Sequence, residues 1–301
     1  MVVNMIDRKV KSNRAQADYF ELLVCQYICS KYNIRFTYSK NLAELSNLIL
    51  DLPNGKKRLK LQNNNLLKLT SKLDKILNYE VSKKGKIIDV IWVGRKLIIK
   101  TVSDVNVKHI THKFTKFSIK SIFKTGLGTI KNIGMRSIKE FFNIDFKQHY
   151  EEMWNNLRSY LNEPKLSRIE IKNMVIKDNK LLKWAFENGQ KYQIELNNLC
   201  FKAFNNLSQE KKVNFLNFVL DADDPDLYVI IVNAKGVLIY KPFEKRAEFK
   251  QIIEARDNTG VGYTIYIDDI PAYRVQTNAT NGIGISPFCQ RVFFAGDVQN
   301  E

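Results

Sequence analysis

The chain has 301 residues, 45% hydrophobic and 26% charged, a balance that suits one large globular core or two closely packed ones. Its 48 Lys and Arg against 31 Asp and Glu leave a net charge of +17, which favours a polyanionic partner. No apolar run reaches the about 18 residues that cross a bilayer. The opening MVVNMIDRKVKSN lacks the apolar centre of a signal peptide, so a cytoplasmic protein with no membrane partner is expected.

Residues 12–32 are predicted as a helix, because Ala17, Phe20, Val24, Tyr27 and Ile28 recur at spacings of three and four. Ser12 or Asn13 would cap it. Cys25 and Cys29 fall near its buried face. With Cys200 and Cys289 elsewhere and no C-x-x-C pair, all four read as reduced core residues rather than zinc ligands or disulfides. Helices are also expected over about 41–51 and 65–79, separated by the loop DLPNGKKR.

From residue 85 the period changes. KIIDVIWV and KLIIKTV are apolar, β-branched runs joined by Gly94-Arg95, which predicts a hairpin of two buried strands. Residues 102–140 are strongly basic and broken by Gly126, Gly128 and Gly134. Between residues 81 and 140 there are 14 basic residues and three acids, Asp89, Asp104 and Glu140, a net +11. Phe114, Phe117 and Phe123 interleave the lysines, as expected of a nucleic-acid cleft. Residues 141–220 carry amphipathic helical stripes. After ADDPD come five short strands, YVIIV, GVLIY, YTIYI, AYRVQ and RVFFA. The expected organisation is a core over 1–140, a helical region over 141–225 and a β-rich part over 226–301, giving a mixed α/β (α+β) architecture.

Hydrolysis of a phosphodiester needs carboxylates to hold a divalent metal, and a cation near the attacking water. Mg2+ suits such a site, taking one or two carboxylates plus water and phosphate. Asp89, inside IIDVIWV, and Lys100, ending LIIK, are charges within apolar runs, which is costly without a partner. Asp89 as metal ligand and Lys100 as the cation are therefore the first candidates; a buried ion pair is the structural alternative.

This arrangement resembles the PD-(D/E)XK nuclease core, in which an Asp is followed by a hairpin and an acid two residues before a Lys. Here Ile98 occupies that acid's place, so a carboxylate must come from elsewhere. The stretch GKIIDVIWVGRKLIIKTVSDVNVKHITHKF further resembles HaeIII-type restriction endonucleases, as do the first helix AQADYFELLVCQYI and the terminal YRVQTNATNGIGISPFCQRVFFAG. The resemblance implies a restriction-endonuclease-like core, a central mixed sheet flanked by helices. It also implies Glu21 as the extra metal ligand, with Asp104 as its competitor. The implied activity is that of a type II restriction endonuclease. Such an enzyme cuts double-stranded DNA with Mg2+ at a short palindrome, GGCC being the family's type site, and has a cognate DNA methyltransferase as genetic partner. A palindrome favours a homodimer, with sequential nicking by a monomer as the alternative.

Two further groups are expected to touch DNA. Lys108, His109, His112, Lys113 and Lys116 are placed to meet the phosphate backbone; His109 and His112 alone are too few for zinc. Arg274, Gln276, Asn278, Asn281, Gln290 and Arg291 surround a Gly-rich loop and are of the types that read base edges. Two rival readings stand: a non-catalytic nucleic-acid-binding protein with a decayed nuclease core, and a repair or junction nuclease.

Overall fold

The computed structural model describes residues 2–94, 103–122, 128–279 and 287–295, with side chains from residue 14 onward. The architecture is mixed α and β, with eight helices and two five-stranded sheets among the described residues. The chain divides into two compact units. One is built from Arg8–Gly128 and Asp221–Arg246, the other from Thr129–Leu220 and the chain from Ala247 through its last strand. This differs from the sequential three-part division expected, and strand pairing is the reason.

In the first unit, helices α1 (Val2–Lys31), α2 (Ser39–Leu50) and α3 (Gly55–Lys84) precede β1 (Ile87–Trp92), β2 (Val105–His109) and β3 (Phe114–Ser121). Strands β5 (Leu227–Val232) and β6 (Val237–Tyr240) complete the sheet in the order β1-β2-β3-β5-β6. All neighbours are antiparallel except β3 and β5, which run parallel, Phe117 opposite Tyr228. Parallel neighbours need a long crossover. Here that connection contains all the helices after α3, so the sheet closes across a gap of a hundred residues.

The helices are longer than their apolar stripes suggest. α1 extends N-terminal to Ser12 and Asn13, so neither caps it. α3 starts directly after Asn54, which takes a left-handed φ of 61°. Gly55 is required there, since a Cβ would sit 2.4 Å from the Ile49 carbonyl oxygen. Phe20, Val24 and Ile28 of α1 and Leu69, Leu73 and Leu77 of α3 are fully buried at helical spacing. They join one cluster with Val105, Val107, Phe117, Ile119 and Ile230. Each such side chain contributes about 1.5–3 kcal/mol by leaving water.

The far end of this sheet carries a buried charge network. Lys84 Nζ lies 2.7 Å from both Glu80 Oε2 and Asp226 Oδ1, and donates to the Phe114 carbonyl at 2.8 Å. Tyr228 donates to Glu80 Oε1 at 2.6 Å, and Lys241 approaches the same oxygen at 3.4 Å.

The second unit pairs β4 (Lys131–Gly134), β7 (Ile253–Arg256), β8 (Gly262–Ile267), β9 (Ile270–Ala279) and β10 (Phe288–Phe294) in the order β4-β10-β9-β8-β7, all antiparallel. Helices α4 (Met135–Phe142), α5 (Lys147–Leu161), α6 (Arg168–Lys177), α7 (Asn179–Asn206) and α8 (Gln209–Leu220) belong with it. The long α7 packs on one face of the sheet. Leu196, Cys200 and Phe204 are buried on the helix, and Tyr263, Ile265 and Val275 on the strands. Asn205 of α7 bonds both the N–H and the carbonyl of Ala255, closing the edge of β7 to further pairing. All four cysteines are free and buried, as expected. No helix among the described residues is long and apolar enough to cross a membrane.

Candidate active site

Of the hairpin expected over KIIDVIWV and KLIIKTV, the first run forms β1. Lys100, and the run KLIIKTV with it, lies outside the described residues. Among the described residues β2 and β3 form a hairpin, whose register sets Val105 opposite Phe117 and Lys108 opposite Phe114. Strand β1 packs on its outer side, Trp92 opposite Val105.

Asp104 immediately precedes β2. Its backbone N–H donates to the Phe117 carbonyl at 2.7 Å, anchoring it beside the middle of β3. Its carboxylate accepts the Ile119 N–H at 2.6 Å and the Ser118 hydroxyl at 3.3 Å. Lys120 follows on the same face of β3 as Ser118, and its positive charge acts on Asp104.

Glu21 comes from α1. Arg14, Asp18 and Glu21 lie at helical spacing on one side of that helix, while Phe20 and Val24 enter the core. Glu21 is 5% exposed, and its Oε2 accepts the Trp92 indole N–H at 2.8 Å. Arg14 and Asp18 pair at 2.9 Å. Burial, with the charge of Asp104 adding to it, pushes the Glu21 carboxyl up to about 8, and the Trp92 bond only partly offsets this. Burial also raises Asp104, against the bonds from Ile119 and Ser118 and the charges of Lys120 and Arg14. The two carboxyl groups thus lie near enough for the charge of Asp104 to act on Glu21, an arrangement eased by a proton or a bound cation.

Glu21 and Asp104, expected as alternatives, are brought together. Asp89 is not the buried residue that its apolar neighbours imply. It is exposed at an irregularity of β1, where the register shifts between Ile87 and Asp89, and its Oδ1 accepts its neighbour Val90's N–H. The shift turns the carboxylate outward, whereas strict alternation predicts it inside. Among the described residues, no group of three or more His, Cys, Asp or Glu is placed to hold a metal ion. The two-carboxylate set of Glu21 and Asp104 still matches what Mg2+ takes from proteins.

Two of the residues expected at DNA are corrected by burial. His109 is 0% exposed, its ring held between the Gly85 carbonyl at 2.8 Å and the Thr115 hydroxyl at 2.9 Å, which leaves it neither phosphate nor metal. Gln290 is also 0% exposed and accepts from the buried Tyr263 hydroxyl. Lys116 is engaged with Asp224 at 2.7 Å. His112 and Lys113 are exposed in the β2–β3 turn, and Lys108 is half-buried beside it. Arg274, Gln276, Asn278 and Arg291 stand in the second unit's sheet; Asn281 lies outside the described residues.

Lys120 and Ser118 are the functional candidates that sequence reasoning missed. The signal was present: VNVKH and FSIK alternate apolar and polar residues on either side of a short turn. The lysine density of this stretch hid the strands. Compared with protein-family models, with curated proteins and with solved structures, the chain matches none.

Proposed function

We propose that the chain is a magnesium-dependent endonuclease acting on double-stranded DNA, with a PD-(D/E)XK-type core and the site-specific activity of a type II restriction enzyme. The observation that carries this reading is the proximity of the buried Glu21 carboxyl to the half-buried Asp104, at a hairpin whose second strand carries Ser118-Ile119-Lys120 near its end. The order Asp, hairpin, x-x-Lys is that of the nuclease signature, transferred from Asp89 and Lys100 to Asp104 and Lys120. Ser118 takes the position of the usual second acid, and Glu21 supplies the missing carboxylate from the helix.

Magnesium held by Glu21 and Asp104 would polarise the scissile phosphate and acidify a water. The chain's own groups do the rest. The Ile119 N–H and Ser118 hydroxyl fix the rotamer of Asp104, and the Trp92 indole fixes that of Glu21. Lys120 brings a positive charge to Asp104, where it would orient the attacking water and offset the charge that develops on the phosphate. The net charge of +17 draws the polyanion to the protein.

Incubation of supercoiled plasmid with the purified chain and Mg2+ tests this. Discrete fragments are expected, and Asp104→Ala should lower cutting by about a thousandfold, the effect of removing several kcal/mol of metal-centred stabilisation. Plasmid left uncut by the wild-type chain refutes hydrolysis. Ser118 in the acid's place is what favours the second reading, DNA binding without cutting. Cleavage confined to branched DNA would identify a junction nuclease.

A further inference from the structure

Directly paired strand residues share a face. The registers of the second sheet therefore line up Asn132 of β4, Arg291 of β10 and Gln276 of β9 in one cross-strand row, with Gly262 of β8 opposite Gln276. Arg274 and Asn278 flank Gln276 on the same face. The opposite face, with Val275, Thr277, Gln290 and Val292, is buried. On the outer face Asn132 and Arg274 are exposed, and Gln276 and Arg291 are half-exposed.

The heads of these residues are idle. Among the described residues, the side chains of Asn132, Arg274, Gln276 and Arg291 make no hydrogen bond or ion pair. Arg256, on the edge strand of the same sheet, is by contrast tied to both Glu254 and Asp269. Strands β4, β10 and β9 contain no acid at all. Two unpaired guanidinium groups thus stand on this face, with Asp257 lining the pocket beside Arg274 but making no ion pair with it. Gly134, on this face, has only open space where a Cβ would be, so a partner can approach the backbone there.

With strands about 4.8 Å apart, the row Asn132–Arg291–Gln276 spans about 10 Å, and Arg274 stands about 7 Å along the strand. That span fits within the about 12 Å width of a DNA major groove. Arg bidentate to guanine and Asn or Gln bidentate to adenine are the standard base contacts.

We infer that this outer sheet face, centred on Arg291, Gln276 and Arg274, is the surface that binds duplex DNA and reads its bases. The inference rests on the proposed nuclease reading for its partner. It differs from the sequence expectation by placing recognition on a strand face that includes Asn132 and excludes Gln290.

The test is fluorescence anisotropy of a labelled 30-base-pair duplex with the intact chain in EDTA, where no cutting occurs. The double variant Arg274→Gln/Arg291→Gln keeps the alkyl stems, and its thermal unfolding should match wild type. It should bind at least tenfold more weakly, while Arg136→Gln, a control at an exposed position of α4, stays within twofold. Gln276→Ala should bind a random duplex as wild type does and alter the preference among a panel of duplex sequences. Equal binding by wild type and the double variant overturns the inference, as does an equal loss in the Arg136 control. Tighter binding of single-stranded DNA or RNA, lost in the same variant, overturns the assignment to duplex DNA. The two proposals fail separately: a chain that binds through this face yet leaves plasmid intact sinks only the nuclease reading. A double variant that cuts and binds like wild type sinks only the face.

Discussion

Two buried carboxyl clusters sit on the sheet of the first unit, and they are built in opposite ways. Around Glu80, burial alone would raise the carboxyl, but hydrogen bonds from Lys84 and Tyr228 and the charges of Lys84 and Lys241 outweigh it and hold the group down at about 2. Around Glu21 the second carboxyl, Asp104, works in the same direction as burial, and the group rises to about 8. Both glutamates are almost wholly buried, at 2% and 5% exposure. The difference is in the partners. A cluster whose partners outweigh burial is a strut, whereas a pair whose partners do not is a fragment of a site that awaits a cation or a proton. Perturbation alone does not mark function; the sign of the perturbation and its cause separate the two.

Removing each carboxyl should therefore have opposite consequences. The largest effect on stability is expected from Glu80→Ala, which leaves Lys84 and Lys241 with reduced pairing in a buried setting. A loss of about 3–5 kcal/mol should appear as a lower urea midpoint. A loss below about 1 kcal/mol would break the distinction drawn between the clusters.

Next in size is the pH response of Glu21. Its folded value, about 8, lies above that of the unfolded chain, so its favourable contribution is complete at low pH. That contribution is lost as pH rises from the ordinary glutamate range through about 8. In metal-free buffer, Glu21→Gln should match wild type near pH 4.5 and exceed it by a few kcal/mol near pH 9. Addition of Mg2+ at pH 8 should recover wild type and leave the variant unchanged. Glu80 has the reverse sign, contributing above the ordinary glutamate range and failing as pH falls toward about 2. A wild-type chain whose stability is flat between pH 5 and 9 without metal, in parallel with the Gln variant, contradicts the account of Glu21.

The smallest effect is that of Tyr228→Phe. It removes one hydrogen bond to Glu80 and leaves the two lysines in place, so about 0.5–1.5 kcal/mol is expected by urea titration. A value as large as that of Glu80→Ala would mean that the tyrosine, not the lysines, holds the network.

Much of the fold was legible from local pattern. The apolar spacing of α1 and the β-branched runs of β5, β6, β8, β9 and β10 appear where periodicity predicts them. Strands β2, β3, β4 and β7 were not foreseen. The first three lie in or beside the lysine-rich stretch, whose charge masked the alternation, and β7 spans only four residues, Ile253–Arg256. The candidate site was half legible. Glu21 and Asp104 stand out by resemblance, Lys120 does not, and Asp89 lies exposed at a strand irregularity rather than buried within its apolar run.

By itself the sequence determined what depends on neighbours a few residues away: helix faces, the longer strands, the basic charge and the reduced state of the cysteines. Only the tertiary structure decided which carboxyls meet. Glu21 and Asp104 are separated by more than eighty residues, and their encounter depends on α1 packing over a hairpin whose register places Asp104 beside Ser118 and Ile119. The two segments that make the first unit are joined by parallel pairing of β3 with β5, a long-range contact that leaves no local trace in composition or period. Burial, and with it the protonation of Glu21, is a property of that packing rather than of the residue.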